Sequence, residues 1–137
     1  MRLWHYKLIP YLPNSQLVAQ WRELNSIFKK QDKHILINYI YDYDKEYLRT
    51  YTWDVLNEMI RRGFKVNTMD NMFGYFGANT FQECDTEKRF IEHNMSYLRQ
   101  NYYNLEEKFH RGQKDFSIEQ FVALARFCIE SEGICKY

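Results

Sequence analysis

Apolar residues in the first quarter of the chain recur with the period of an α-helix. The repeating positions, three or four residues apart, are Leu17, Trp21, Leu24 and Phe28. These side chains share one face of a helix, and that face must be buried against other elements. Asn14 or Ser15 is placed to accept hydrogen bonds from the free amides at the amino end. We therefore predict a helix near residues 15–30.

Three later segments show the same period and have recognisable ends. The predicted helices lie near residues 45–62, 86–110 and 118–132. Gly63 and Gly112 follow the first two of these segments, where a helix favours a left-handed residue. Residues 117–120 read Ser-Ile-Glu-Gln, a capping-box pattern that opens the last segment. The middle segment has a possible break near His93.

Two stretches lack the helical period. Residues 34–43 are rich in Ile and Tyr but have no partner strand, so we interpret them as a buried connection. Residues 67–84 place several aromatic side chains around Gly74 and Gly77, and we interpret these rings as packing groups. The alternative is an aromatic wedge for a distorted duplex. The whole pattern predicts an all-α fold, a compact single-domain bundle of about four helices over residues 1–137, with no sheet of three or more strands.

Composition limits the class of protein. The chain has 137 residues, enough for one core, and 18% of them are aromatic. No apolar run approaches the ~18–20 residues that span a bilayer, and no apolar segment follows Arg2 as in a signal peptide. The three cysteines are odd in number and lack a CxxC spacing, which favours reduced thiols in a cytoplasmic protein. Because no zinc-ligand or calcium-loop pattern occurs, we expect no metal and no cofactor.

The net charge of +1 conceals an uneven distribution. Residues 1–34 hold six basic residues and two acidic ones, a net charge of +4, while the remainder carries −3. A basic first quarter can present a local positive surface to phosphates in a chain that is nearly neutral overall. Ordinary scatter of charges is the alternative in a chain of this size.

An adjacent Arg–Glu pair in the middle of a helix, such as Arg22–Glu23, is most often a solvated face. Here the pair belongs to a longer pattern, Leu17-x-Ala19-x-x-Arg22-Glu23-Leu24 with Phe28 and Lys33-His34. This pattern resembles the first helix of the pyrimidine-dimer DNA glycosylase family, of the bacteriophage endonuclease V type. A second run, from Tyr41-Asp42 to Arg61-Arg62-Gly63-Phe64-Lys65-Val66, is similar to that family's second helix and the turn after it. The resemblance covers the first half of the chain well, the third quarter weakly and the last twenty residues not at all.

The resemblance implies a DNA N-glycosylase with AP-lyase activity on damaged or modified pyrimidines in double-stranded DNA, acting as a monomer. The attacking group would be the α-amine of Met1, which adds to C1′, while Glu23 assists proton transfer and strand cleavage. An α-amine has a pKa near ~7.7–8.0, so a useful fraction is the free nucleophile at neutral pH. The residues that would contact DNA are Arg2, Arg22, Lys33 and His34.

Three features depart from the family pattern. Arg2 follows Met1 directly, whereas the family's enzymes begin, after processing, with a small residue followed by Arg. A large second residue normally prevents removal of the methionine, so Met1 itself would supply the amine. Ser26 stands where the family has a further Arg, and the family's aromatic and basic C-terminal tail is absent.

These departures leave two alternatives to a dimer-specific glycosylase. The first is a non-catalytic DNA-binding or regulatory protein that retains the scaffold without the chemistry. The second keeps the chemistry on a different base, such as a modified pyrimidine rather than a photodimer. His34 likewise has two interpretations, a phosphate contact or a helix-end cap, and the lysines near residue 30 also suit the negative pole of a helix dipole.

Overall fold

The computed structural model describes residues 2–66 and 69–132, with side chains as far as residue 130. The α-helices are α1 (Asn14–Lys30), α2 (Lys45–Arg61), α3 (Asp70–Phe76), α4 (Met95–His110) and α5 (Ile118–Glu132). Three 3₁₀ helices lie at Tyr6–Tyr11, Asn38–Asp42 and Gly77–Asn79. No strand occurs in these ranges, so the all-α prediction is confirmed, and α1, α2 and α5 have nearly the predicted bounds.

One apolar core joins these helices. α1 packs against α2 and α3, and α4 packs against α5. The amino-terminal 3₁₀ helix touches both α2 and α5 and therefore closes the bundle. The stripe that predicted α1 is buried along its whole length, with Leu17 and Leu24 fully inaccessible. The predicted buried connection at residues 34–43 forms a turn and a 3₁₀ helix, with Ile37 and Ile40 in the core.

The predicted helix ends are mostly confirmed. Gly63 and Gly112 both have φ of +86°, the left-handed conformation that glycine adopts without strain. At the start of α5 the Ser117 amide donates to the Gln120 side chain at 3.0 Å, and the Gln120 amide donates to the Ser117 hydroxyl at 3.1 Å. This reciprocal pair is the capping box that the sequence predicted.

The predicted start of the helix over residues 86–110 is wrong. α4 begins at Met95, and the residues before it form turns that bury Phe90 and His93. The reason is local, because Asn94 adopts an extended backbone and its side chain accepts from the Tyr97 amide at 2.9 Å. An asparagine that caps in this way ends the helix on its amino side.

The sequence also missed α3 and misplaced the cap of α1. α3 has only seven residues and contains Gly74, so its periodic signal is weak. Neither Asn14 nor Ser15 caps α1 through its side chain. Asp115, from the turn before α5, does so instead, because its carboxylate accepts from the Ser15 amide at 2.6 Å and from the Ser15 hydroxyl at 3.0 Å.

The aromatic stretch after α2 packs inward, as expected from the packing interpretation. The rings of Tyr75 and Phe76 lie 5.4 and 5.2 Å from that of Phe28 in α1. Phe81 is exposed, but its ring lies 5.2 Å from that of Phe73. Among the helices in the described ranges, none has the length and apolar character needed to cross a membrane.

Candidate active site

A single buried amide holds the amino-terminal segment against α1. The Gln20 side-chain oxygen accepts from the Trp4 amide at 2.8 Å, and its nitrogen donates to the Arg2 carbonyl at 3.1 Å. The same nitrogen donates to Glu23 Oε2 at 3.1 Å. Gln20 is 1% exposed, so these bonds replace the water contacts it lost on folding. One side chain thereby ties the chain start to the Glu23 carboxylate.

Side chains from other helices fix the same segment. The Tyr51 hydroxyl of α2 donates to the Trp4 carbonyl at 2.6 Å, and the Tyr97 hydroxyl of α4 donates to the Leu3 carbonyl at 2.6 Å. Asn101 accepts from the His5 amide at 2.7 Å. The backbone of residues 3–5 is therefore anchored on three sides, which gives the amino end a defined position.

Arg62 extends this anchoring to the amino-terminal 3₁₀ helix. Its guanidinium donates to the carbonyl of Leu12 at 2.7 Å and to that of Pro10 at 3.1 Å. Glu58 holds the guanidinium in place, with Oε2 2.7 Å from Arg62 Nε. The sequence indicated only a helix end at Arg62, and nothing in the local pattern marked it as a clamp.

Glu23 is half-buried and has a perturbed acidity. Burial raises the pKa of its carboxyl above the ordinary value, although the Arg2 backbone amide, the Gln20 side chain and the Arg22 charge act in the opposite direction. A carboxylate whose pKa is raised towards neutrality is better suited to accept and return a proton than a fully solvated one. Glu23 is therefore not the fully solvated residue that an isolated Arg–Glu pair most often indicates, because the amino-terminal segment and Gln20 cover one side of it.

A cleft of about 290 Å³ opens beside this carboxylate. One wall comes from the amino-terminal segment and α1, and the opposite wall comes from α4. The lining residues are Arg2, Trp4, Gln16, Ala19, Gln20, Glu23, Asn104, Glu107 and Lys108. The Asn104 side-chain nitrogen is buried there without a hydrogen-bond partner among the residues that the structure describes. The cleft therefore brings Arg2 and Glu23 together.

The other predicted DNA contacts lie outside this cleft. Arg22 is exposed and lines a shallow groove of about 340 Å³ with Ala19, Glu23 and Ser26. Lys33 and His34 are exposed in the turn that follows α1. Met1 lies outside the described residues.

The interpretation of His34 as a helix-end cap is not supported by its contacts. α1 ends at Lys30, and the ring nitrogen of His34 accepts from the Leu36 amide at 3.1 Å within its own turn. The ring therefore shapes the turn rather than the helix end. Its proposed contact with a phosphate is a separate matter and stays a prediction.

A buried aromatic and histidine cluster supports the anchored segment from below. The His5 and His93 rings stack with centroids 5.5 Å apart, and the Tyr39 hydroxyl lies 2.7 Å from His93 Nε2. Burial, with smaller contributions from His5 and Arg89, lowers the pKa of His93 to about 3. His93 is therefore neutral at physiological pH. In the part of the chain that the structure describes, no group of three or more His, Cys, Asp or Glu side chains is arranged to hold a metal ion.

Sequence reasoning missed several residues of this site. Gln20 carried a usable signal, since it falls three positions after Leu17 and four before Leu24, inside the apolar stripe. A polar residue inside such a stripe is buried and must find partners. Asn104 and Lys108 carried no local signal, because only the packing of α4 brings them to the cleft.

A protein-family comparison covers the part of the chain that builds most of the cleft. The family model described as pyrimidine dimer DNA glycosylase matches residues 1–72, just over half of the chain. These residues include α1 and α2, whereas α4 and its cleft residues lie outside the match. No curated protein and no solved structure matches the chain.

Proposed function

The chain belongs to the pyrimidine dimer DNA glycosylase family, and from this premise we propose that it is a metal-independent glycosylase and AP lyase acting on damaged or modified pyrimidines in duplex DNA. The observation that carries the proposal is the Gln20 amide, which joins the backbone at Arg2 to the Glu23 carboxylate. An enzyme that attacks through its own terminal amine needs that end of the chain fixed beside a proton acceptor.

Covalent geometry limits how far the proposed nucleophile can lie from the Arg2 nitrogen. The Arg2 backbone amide interacts with the carboxylate, and three covalent bonds connect the Arg2 nitrogen to the α-amine of residue 1. Three bonds of this kind reach at most about 4 Å. The proposal requires the amine to lie within this reach of the Arg2 nitrogen and to face the carboxylate.

The proposed reaction proceeds in two stages. The Met1 amine adds to C1′ of the target nucleotide and gives up a proton, and the glycosidic bond breaks with its electron pair leaving on the base, which takes up a proton. The C1′–O4′ bond then breaks with its electron pair leaving on O4′, which is protonated, so that the sugar ring opens and C1′ forms an iminium bond to the nitrogen. The resulting iminium ion acidifies the hydrogens at C2′. Glu23 removes one of them, the C3′–O bond breaks with its pair leaving on the phosphate, and water then hydrolyses the imine to free the amine.

Arg2 and Arg22 serve the proposed reaction by binding phosphates. Arg2 lines the cleft, and Arg22 lies on the exposed face next to Glu23. A guanidinium makes paired hydrogen bonds to phosphate oxygens and keeps its charge at all relevant pH values. Lys33 and His34 extend this contact along the duplex beyond the end of α1. The positive charges also favour the developing phosphate leaving group.

Borohydride trapping on a duplex with one abasic site tests the proposal. The wild-type protein should give a covalent adduct of one protein per strand, and without borohydride it should cleave the strand at that site. Reductive methylation of the terminal amine should abolish both results. A wild-type protein that binds the duplex but gives neither adduct nor cleavage would overturn the catalytic function.

That last result would favour the second candidate, a DNA-binding protein without chemistry. Ser26 supports this candidate, because it leaves the groove beside Glu23 without the further Arg that the family resemblance implies. The bulk of Met1 at the reacting nitrogen supports it as well. The two candidates share the basic surface of α1 and differ only in whether a covalent intermediate forms.

A further inference from the structure

The turn after α1 presents two apolar side chains to solvent. Ile35 is 86% exposed and Leu36 is 41% exposed. Single exposed apolar residues are common on protein surfaces and by themselves indicate nothing. Two adjacent exposed apolar residues at the tip of a turn indicate a binding surface only if other features agree. Here those features are the hydrogen bonds within the turn and the charges of the residues near it in the chain.

Local hydrogen bonds make the turn rigid. Asn38 accepts from the His34 amide at 2.8 Å, His34 Nδ1 accepts from the Leu36 amide at 3.1 Å, and the His34 carbonyl accepts from the Ile37 amide at 2.9 Å. Ile37 is fully buried and anchors the turn in the core. Because the backbone is already ordered, insertion of the tip into a partner would require little additional ordering.

The charges around the tip are those of a phosphate-binding surface. Lys29, Lys30 and Lys33 precede it in the chain and are exposed, and Asp32 is the only acidic residue between positions 24 and 41. Asp32 is partly buried, and its carbonyl accepts from the Tyr41 hydroxyl. The next acidic residue along the chain, Asp42, ends the following 3₁₀ helix. Apolar side chains that follow three exposed lysines in the chain match a partner with an anionic exterior and an apolar interior.

The turn follows the carboxyl end of α1, the helix that carries Glu23. Arg22, Ser26 and Lys29 follow one another at steps of three and four along one face of α1, next to Glu23. From Glu23 to Lys30 the helix rises by about 10 Å, at ~1.5 Å per residue. This rise equals about three base steps at ~3.4 Å each. A duplex lying along that face would meet the turn three or more base pairs from the reacting nucleotide.

We propose that Ile35 and Leu36 form an apolar wedge that enters a base step of the bound duplex and kinks it. The inference rests on the proposed function, since it assumes that duplex DNA lies along α1. DNA-bending proteins commonly insert Ile, Leu or Phe between base pairs, and partial unstacking opens the duplex at a distance. Here the kink would help to extrude the target nucleotide into the cleft beside Glu23.

The test uses duplexes with a stable abasic analogue and 2-aminopurine placed at successive positions from one to eight base pairs away. Wild-type protein should raise the fluorescence at one step, because 2-aminopurine brightens when it unstacks. A double variant, Ile35→Ser with Leu36→Ser, should lose that signal and bind roughly tenfold more weakly or worse, the loss expected for removing buried apolar side chains. Ile35→Leu should retain the signal.

Ile91→Ser is the matched control. Ile91 is 77% exposed and lies in the turns before α4, so the substitution removes the same side chain from a similarly exposed position. It should leave both the fluorescence and the affinity unchanged. If the double variant and the control behave alike on a duplex that the wild type binds, the wedge is wrong and the proposed function stands. If the wild type binds no duplex at all, both are overturned together.

Discussion

Gln20 is the residue on which the geometry of the cleft depends most directly. Its amide oxygen accepts from the Trp4 amide and from the Tyr51 hydroxyl, and its nitrogen donates to the Arg2 carbonyl and to Glu23. No smaller or apolar side chain reproduces this set, because it needs one acceptor and two donors in a single plane. The residue therefore acts through Glu23 and the chain start rather than through contact with DNA.

Gln20→Leu should destabilise the protein and disturb the site together. It leaves the buried Trp4 amide and the Arg2 carbonyl without partners, which costs about 1–3 kcal/mol. Denaturant unfolding measures this loss. Gln16→Leu, one turn earlier on the same helix, is the matched control, since its only side-chain bond within the described residues spans 3.4 Å. Equal stability of the two variants would show that the bridge contributes nothing.

Glu23→Gln should separate catalysis from binding. The substitution keeps the size of the side chain and removes the proton acceptor. Cleavage at an abasic site should fall by roughly 10²–10⁴-fold, while duplex binding survives or tightens because a negative charge near the phosphates is lost. Single-turnover cleavage and fluorescence anisotropy measure the two effects. Unchanged cleavage would reduce Glu23 to a residue of the helix surface.

His93 should make the stability of the fold depend on pH. The pKa of His93 is about 3 in the folded protein, against ~6.5 in an unfolded chain. Below pH 6.5 the imidazole is therefore mainly protonated in the unfolded state and stays neutral in the folded state until the pH approaches 3. The free energy of unfolding should fall by about 2 kcal/mol from pH 7 to pH 5 through this residue alone.

Chemical denaturation of the wild type and of His93→Gln at both pH values measures this contribution. The difference in stability between pH 7 and pH 5 should shrink by about 2 kcal/mol in the variant, because glutamine has no proton to gain. The control is the same comparison at pH 8 and pH 7, where histidine is neutral in both states. An equal loss in the two proteins between pH 7 and pH 5 would contradict the assignment of His93 as buried and neutral.

At the residue level, the family resemblance gave Glu23 a catalytic role and Arg2 a DNA contact, and both roles stay predictions. The structure places both side chains on one cleft. The prediction could not extend to Asn104 or Lys108, because they reach the cleft only when α4 packs across some 80 residues of intervening chain. The spacing of residues in this segment predicts that α4 is a helix, but it does not predict which other helix α4 packs against.

At the scale of single elements, α1 depends on a cap that another part of the chain supplies. Asp115 accepts from both the amide and the hydroxyl of Ser15, at the positive end of the helix. Burial alone would raise the pKa of Asp115, but these bonds and one from Gln113 outweigh it, and the pKa is lowered. The carboxylate is therefore held in its charged form at the helix end.

Asp115→Ala should lower the free energy of unfolding by about 0.5–2 kcal/mol, the usual effect of losing an amino-terminal cap. Ser117→Ala, which removes a cap that α5 supplies to itself, is the matched comparison and should fall in the same range. Because the Asp115 cap also joins α1 to the turn before α5, its loss should reduce the protection of the first amides of α1 in hydrogen exchange. Unaltered exchange there would contradict a capping role.

The elements predicted well are those with long, strongly periodic segments. α1, α2 and α5 each bury one continuous stripe, so their bounds follow from spacing alone. The residues before Met95 also show apolar side chains at helical spacing, Phe90 and Ile91 among them, yet they form turns. Asn94 caps α4 and so fixes its start at Met95. A prediction based only on the spacing of apolar residues misses a single capping residue inside a periodic segment.

At the scale of the whole molecule, a group of exposed positive charges lies on α1 and in the turn after it. Arg22, Lys29, Lys30 and Lys33 are all exposed there. Arg22→Ala should weaken duplex binding and reduce the slope of log affinity against log salt by about one. Arg2→Ala should weaken binding as well, and Lys33→Ala should do so less.

Fluorescence anisotropy across a salt series measures these slopes. Arg126→Ala, which removes an exposed arginine from α5, is the matched control and should leave the slope unchanged. Affinity that is indifferent to salt would mean that α1 is not a phosphate-binding surface. An Arg126→Ala variant that loses as much as Arg22→Ala would place the bound duplex elsewhere on the molecule.

The anchoring of residues 3–5 by α4 has a consequence for how the protein is made. The Leu3 carbonyl accepts a hydrogen bond from the hydroxyl of Tyr97, which lies 94 positions later in the chain. The His5 amide donates to Asn101, 96 positions later. On the ribosome, the start of the chain emerges first but can reach its final place only after most of the polypeptide has been synthesised. A nascent chain therefore lacks the assembled cleft until α4 has been synthesised.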